Sequence, residues 1–215
     1  MACPCRECHL GSSGGVLVFV KDTTKTVTPM GVQPGVFVPV NPVACRAECR
    51  YRAPVQLRDF AEADWPQVWT IVREVVRAQE TFPYDPEMSE EHARQTWIET
   101  PPALTVVAID SGRVVGTAKM GTNRPGPGSH VATASFMVDP ASRGRGVGTA
   151  LCRFAVDWAR SRGYAAMQFN AVVESNRAAV ELYQRQGFTV VGTVPRAFAH
   201  PTLGRVGLHV MHREL

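Results

Sequence analysis

Long apolar runs are absent from this 215-residue chain. A membrane-spanning helix needs about 20 consecutive apolar residues. The apolar segment at residues 15–20 is much shorter, and it lacks the basic flank and small-residue cleavage site of a signal peptide. A large excess of charge is missing too, since the net charge is only +4. We therefore expect a cytoplasmic protein with neither a membrane partner nor a nucleic-acid-binding surface.

Residues 1–53 differ in composition from the rest of the chain. They hold five of the six cysteines, no tryptophan, and six basic against three acidic side chains. We predict that residues 1–53 form an irregular N-terminal extension, for which disorder is one option. Residues 54–215 are predicted to form a folded domain. A zinc site is the alternative for the extension, because thiolates and imidazoles suit zinc. Its ligands would come from Cys3, Cys5, Cys8, His9, Cys45 and Cys49. The paired C-x-x-C spacing of zinc ribbons is absent, so spare reduced cysteines are favoured and we predict no metal.

The turn at residues 139–148 is the most informative segment, since it joins a strand-like run to a helical run. Alternate glycines remove side chains from this turn. Backbone N–H groups are thereby left pointing outward at the positive end of the helix dipole, which suits phosphate. Two arginines add positive charge at the same place. We predict a pyrophosphate cradle made of Arg143, Gly144, Arg145, Gly146, Val147, Gly148 and Thr149.

The spacing of these glycines excludes two common phosphate loops. A Walker loop needs a lysine, but Gly148 is followed directly by Thr149, and the glycines do not follow the G-x-G-x-x-G pattern of a dinucleotide site. What matches is R-x-x-G-x-G at Arg143, Gly146 and Gly148. This segment resembles the acetyl-CoA-binding motif of the GNAT superfamily of N-acetyltransferases.

A second segment supports the resemblance. A strand-like run at residues 168–173 is followed by Asn176 and then by A-x-x-L-Y-x-x-x-G-F, which resembles the second GNAT signature. Ser175 is the predicted N-cap of this helix, and Gly187 is the predicted residue just beyond its C-terminus. The resemblance covers about residues 55–215. It implies an α/β GNAT fold, with a mixed, mostly antiparallel central sheet flanked by helices.

Hydrophobic periodicity and turn residues divide the domain into the element order β-α-α-β-β-β-α-β-α-β-β. Asp64 is the predicted cap of the first helix, with Pro66 early in it, and Ser89 is the predicted cap of the second. Cys152 falls in a predicted helix and is expected to be a buried free thiol. The remaining predicted strands cover residues 55–58, 104–109, 114–120, 130–138, 189–194 and 206–211.

The resemblance assigns roles to several residues. It implies that Phe136 and Val138 pair their backbones with the pantetheine arm of acetyl-CoA, and that the Asn176 side chain reaches the same arm. It implies that Tyr183 is the general acid, and a phenol with a pKa near 10 can return a proton to a leaving thiolate. The alternative for Tyr183 is that its ring only packs in the core.

The general base and the acceptor pocket are less sharply defined. Glu80 follows the first long helix and is the candidate base, with a solvated carboxylate as the alternative; His130 and His200 are weaker candidates. A buried amide at Asn170 would need a hydrogen-bond partner, which a substrate can supply. The predicted acceptor pocket consists of Phe82, Tyr84, Trp97, Asn170 and the loop 196–201, with a place in the core as the alternative for each aromatic residue.

These features predict an enzyme that uses acetyl-CoA as acetyl donor. We expect it to acetylate the amine of a small or amino-acid-like molecule by direct attack within a ternary complex, without a covalent enzyme intermediate or a catalytic metal. A non-catalytic acyl-CoA-binding module, a protein N-acetyltransferase and a metal-binding extension with this domain as its effector are the alternatives. A homodimer is compatible with the sequence.

Overall fold

Within residues 55–215, which are the residues that the computed structural model describes, seven β-strands form one sheet. The strands stand in the order β1-β2-β3-β4-β5-β7-β6. They are β1 Gln56–Asp59, β2 Leu104–Asp110, β3 Arg113–Thr122, β4 Val131–Val138, β5 Ala166–Val173, β6 Thr189–His200 and β7 Gly204–Glu214. The predictions about residues 1–53, including their cysteines and the zinc alternative, lie outside the described residues.

The same part of the chain forms α1 Trp65–Arg77, α2 Glu90–Trp97, α3 Val147–Ser161 and α4 Arg177–Arg185. The order of strands and helices is the predicted one, and the sheet is mixed and mostly antiparallel, as expected. None of the helices in residues 55–215 is long and apolar enough to cross a membrane.

Three predicted helix caps have different outcomes. Ser89 caps α2 as predicted, because its hydroxyl accepts the His92 backbone N–H. Asp64 precedes α1 but does not cap it: its carboxylate accepts hydrogen bonds from Arg58 at 2.6 and 2.7 Å. The N-cap of α4 is Asn176 rather than Ser175. The longer Asn176 side chain reaches the Ala179 N–H at 3.3 Å, and the buried Ser175 hydroxyl has no partner among the described residues.

The sheet is covered by helices on both faces because its strands alternate between two buried sides. On β2, Val106 packs with α3 and α4, whereas its neighbour Val107 packs with α1 and α2. Met137 on β4 belongs to the α1 side, and the half-buried Phe136 belongs to the α3 side. Residues 55–215 therefore have two cores, one on each face of the sheet.

The strands β4 and β5 separate in the middle of the sheet. They are the parallel pair, and their register contains only Val131 with Ala166 and Ala132 with Met167. Beyond Ala132, β4 pairs with β3 on one side and has no strand partner on its other side among residues 55–215. The sheet therefore opens into a V at this point, with unpaired β4 backbone groups along one arm.

The segment predicted as the late loop 196–201 lies largely within β6. This edge strand pairs with β7 from Phe198 opposite Val206 to His200 opposite Gly204. The register shifts between Val194 and Phe198, and Arg196 there has φ +56°. A bulge in an edge strand accommodates the proline at 195 without ending the strand.

Candidate active site

A cleft of about 820 Å³ opens where β4 and β5 separate. It extends from the turn before α3, past α4, to the segment that follows α1. The cleft brings together most of the residues predicted for the site, but Arg145, Trp97 and, apart from His200, the segment 196–201 do not line it. Those that line it are Glu80, Phe82, Tyr84, Phe136, Val138, Arg143, Gly144, Gly146, Val147, Gly148, Thr149, Asn170, Asn176 and Tyr183.

The turn before α3 presents backbone N–H groups to the cleft. Gly146 is the N-cap of α3 with φ +80°, a left-handed conformation that L side chains rarely adopt. Since a glycine cap has no side chain to bond the first turn, the first N–H groups of this 15-residue helix are left for a ligand. Together with the helix dipole, they form a site suited to an anion such as pyrophosphate.

Gly148 allows α3 and α4 to approach each other at the cleft. A Cβ atom at this position would lie 3.2 Å from Leu182 Cδ1, tighter than most contacts between side chains. The helix carrying Tyr183 can therefore sit directly against the turn that would hold the phosphates.

The two arginines of the turn point to different places. Arg143 is exposed and lines the cleft. Arg145 does not line it, and its Nη1 lies 3.9 Å from the Asp110 carboxylate at the end of β2. The structure therefore brings the Arg143 side chain, but not the Arg145 side chain, to the cleft.

Tyr183 lies in an aromatic cluster on the α3 side of the cleft. Its ring centroid is 4.7 Å from that of Phe169, 5.9 Å from that of Phe136 and 6.2 Å from that of Phe188. Burial raises the pKa of Tyr183 above that of an ordinary phenol, and the nearby Cys152 adds to the effect. No residue in the described part of the chain is hydrogen-bonded to its hydroxyl. The phenol is therefore protonated at neutral pH and free to donate.

The segment after α1 forms an aromatic wall at the other end of the cleft. Phe82 and Tyr84 line the cleft with their ring centroids 5.5 Å apart, and the exposed Glu80 lies beside them. Burial raises the pKa of Tyr84, with a smaller contribution from Glu99. Trp97 was predicted for this pocket but belongs to the core: it is 1% exposed, and its Nε1 donates to Thr117 Oγ1 over 3.0 Å.

Asn170 lines the cleft, but it is exposed rather than buried as predicted. The reason is a local irregularity, since the register of β5 with β7 is interrupted between Phe169 and Val172. Of the two histidines considered as bases, His200 lines the cleft. His130 does not line it, and its Nδ1 lies 3.0 Å from the Pro127 carbonyl oxygen.

Several residues that line the cleft were not predicted from the sequence, including Arg185 on α4. The sequence pattern could have indicated Arg185, because Ala178, Leu182 and Arg185 share one helical face at i, i+4 and i+7. On β4 only Phe136 and Val138 were predicted, whereas the whole segment 133–138 lines the cleft. That segment could not be identified from the sequence, since it depends on where β5 leaves β4.

Cys152 is the free cysteine of the described region and is fully buried, as predicted. Burial raises the pKa of its thiol to about 12. A thiol in this state is a poor nucleophile.

Comparison with known proteins identifies the relatives of this chain. Residues 69–188 match the model of the acetyltransferase (GNAT) family. A solved GCN5-related N-acetyltransferase from Kribbella flavida is 57% identical, covers 75% of this chain and 98% of its own, and superposes with a TM-score of 0.73. A phosphinothricin acetyltransferase from Sinorhizobium meliloti, solved in complex with acetyl-CoA, is 26% identical, with 75% and 88% of the two chains covered and a TM-score of 0.64.

Two curated relatives are each 28% identical to part of this chain. The L-methionine sulfoximine/L-methionine sulfone acetyltransferase of Pseudomonas aeruginosa is 28% identical over 145 residues, which are 65% of this chain and 83% of the relative. The N-acetyltransferase aca1 of Schizosaccharomyces pombe is 28% identical over 133 residues. That alignment covers 55% of this chain and spans 64% of the length of aca1.

Proposed function

Because this chain belongs to the acetyltransferase (GNAT) family and is an acetyl-CoA-dependent acyltransferase, we propose that it acetylates the amine of a small or amino-acid-like molecule. The observation that carries the proposal is the continuity of the cleft. It runs from the uncapped N-terminus of α3, past Tyr183, to the aromatic wall at residues 80–84. One end suits a phosphate-bearing donor, and the other end has room for a second molecule.

The donor end would hold acetyl-CoA mainly through the backbone. The N–H groups of residues 144–149 and the Arg143 guanidinium would bind the pyrophosphate, since the Arg143 backbone N–H already donates to the Pro140 carbonyl. The unpaired edge of β4 at Phe136 and Val138 would pair with the amide groups of the pantetheine arm, in the way an extended ligand adds to a sheet edge. Acetyl-CoA would supply the acetyl group as an activated thioester.

Asn176 would contribute its amide N–H groups to the same arm. Its Oδ1 already accepts the Ala179 N–H, so the side chain is held by the helix that it caps. The Nδ2 group is left free to donate toward the cleft that Asn176 lines.

Tyr183 would act as the general acid. Its phenol is protonated, and its hydroxyl has no competing partner within residues 55–215. The apolar cluster that raises the pKa of Tyr183 would also raise the pKa of the thiol that leaves, because both charged forms lose solvation there. The two pKa values would therefore stay close enough for proton transfer.

Glu80 would take the proton of the attacking amine, either directly or through water, and His200 is the other cleft residue able to do so. Phe82, Tyr84 and Asn170 would surround the acceptor. Direct attack is favoured over a cysteine-bound intermediate because the thiol of Cys152 is buried and neutral. In this scheme both substrates occupy the cleft together, and no metal is required.

The test is release of free thiol from acetyl-CoA in the presence of a panel of amines and amino acids. The panel includes L-methionine sulfone, because a relative is named for it. We expect turnover with at least one small amine. Tight acetyl-CoA binding without thiol release would instead indicate a non-catalytic acyl-CoA-binding module, and turnover of peptide amines alone would indicate a protein N-acetyltransferase. Cytoplasmic location and a homodimer stay predictions, the second to be checked by sedimentation.

A further inference from the structure

Three amide side chains form a hydrogen-bonded chain at the edge of the cleft. Gln168 Nε2 donates to Asn170 Oδ1 over 2.7 Å, and Asn170 Nδ2 donates to Asn123 Oδ1 over 2.7 Å. Of the three side chains, only Asn170 lines the cleft. Asn123 directly follows β3, and its backbone N–H donates to the Val131 carbonyl over 2.8 Å. The amide chain thus ties the divergent part of β5 to the start of β4.

The two neighbours fix the orientation of the Asn170 amide. An asparagine side chain has two N–H groups and two acceptor lone pairs on its oxygen, and its terminal torsion is otherwise loosely restricted. Gln168 and Asn123 use one acceptor position and one N–H. Asn170 therefore has one N–H and one lone pair left, held in a defined direction at the edge of the cleft. Its backbone lies in the irregular stretch of β5 and would not orient the amide alone.

We infer that Asn123 and Gln168 are positioning residues, which hold the Asn170 amide so that its free N–H binds an oxygen of the acceptor beside the amine. This inference rests on the proposed function. The class of acceptor it selects carries a carboxylate or another hydrogen-bond-accepting oxygen close to the reacting amine. An alkylamine without such an oxygen makes no hydrogen bond to the N–H of Asn170.

A pair of probes that differ only in the carboxylate beside the amine tests the inference. L-methionine sulfone carries the carboxylate, and 3-(methylsulfonyl)propylamine is the same molecule without it. Asn170→Ala and Asn123→Ala should each raise the KM for the sulfone about three- to tenfold, the effect of one hydrogen bond. In Asn123→Ala, the kcat, the KM for acetyl-CoA and the KM for the propylamine should stay unchanged, which loss of local structure would not produce.

The direction of the hydrogen bonds provides a sharper test. Asn123→Asp keeps an oxygen that accepts the Asn170 N–H, so it should recover most of the affinity lost in Asn123→Ala. Gln168→Glu places a carboxylate against Asn170 Oδ1 and should raise the KM for the sulfone at least as much as Gln168→Ala. Gln95→Ala, which removes an exposed amide bonded to Glu91 on α2, is the control.

The outcomes separate this inference from the proposed function. A sulfone KM that is the same in wild type, Asn123→Ala and Gln168→Ala overturns the positioning role. Preferred turnover of amines that lack the oxygen overturns the acceptor class and leaves acetyl transfer standing. Absence of thiol release with every amine tested overturns the proposed function itself.

Discussion

The phenol of Tyr183 provides the sharpest test of catalysis at this cleft. Tyr183→Phe removes one oxygen and keeps the ring that packs 4.7 Å from Phe169 and 5.9 Å from Phe136. Within residues 55–215 the hydroxyl has no hydrogen-bond partner, so the substitution leaves no described group unsatisfied. We therefore expect the free energy of unfolding to change by less than about 0.5 kcal/mol. For a domain of this size, Tm should move by no more than about 2 °C.

The effect of Tyr183→Phe on the rate should be much larger. Loss of one general acid typically lowers kcat by about 10²–10⁴, which corresponds to roughly 3–5 kcal/mol of activation free energy. Affinity for acetyl-CoA should stay near that of the wild type, because the apolar contacts of the ring remain. Thiol release under saturating substrates measures kcat, and calorimetry measures acetyl-CoA affinity.

Tyr164→Phe is the matched control for this experiment. It also removes a phenol, but the Tyr164 hydroxyl bonds Thr122 over 2.8 Å and does not line the cleft. Its kcat should equal that of the wild type. If Tyr183→Phe turns over at the wild-type rate while chemistry limits the reaction, the general-acid role is wrong and water delivers the proton.

Three further predictions concern the donor site, the extension and a single ion pair. Gly146→Asp puts a carboxylate at the N-terminus of α3 and should abolish acetyl-CoA binding, as measured by calorimetry. The control Gly163→Asp, also at a left-handed glycine with φ +76°, should retain binding. Equal loss of binding in both variants would mean that backbone strain alone is responsible. Deleting residues 1–53 should leave a folded domain that binds acetyl-CoA, and aggregation of the shortened chain would show that the segment is integral. The Arg58 guanidinium holds the pKa of Asp64 below its usual value, so this pair contributes stability above the unfolded pKa of about 4 and loses it as the pH falls through the lower folded pKa. The difference in urea midpoint between wild type and Asp64→Asn should therefore be present at pH 7 and disappear in acid, and a difference independent of pH would contradict this origin.

Several predictions that depended on local sequence were confirmed, although the N-cap of α4 is the neighbouring Asn176 and not Ser175. The glycine-rich turn joins β4 to α3 as predicted, and Gly146 is the N-cap of α3. Ser89 was predicted as a cap because a hydroxyl just before a helix can accept a backbone N–H of the first turn. Its hydroxyl accepts the N–H of His92. The hairpin of β2 and β3 follows from alternating apolar residues around a short polar turn.

The predictions that failed depended on residues distant in sequence. Asp64 was available to cap α1, but Arg58 on β1 lies close enough to bind it more strongly. Trp97 is an aromatic residue of the kind that often lines a ligand pocket. Its indole N–H instead donates to Thr117 on β3 inside the core. Asn170 was expected to be buried, and the interruption in the pairing of β5 with β7 leaves it exposed.

The sequence by itself determined the family, the element order and the glycine-rich turn before α3, because each depends on torsions, caps and spacings within a few residues. Only the tertiary structure decided that Tyr183, Asn170 and the segment 80–84 share one cleft, and that Arg145 turns away from it toward Asp110. The reason is that the cleft exists only where β5 leaves β4 after Ala132. No single segment of the sequence specifies that separation, because it is a relation between two strands that α3 separates in the chain.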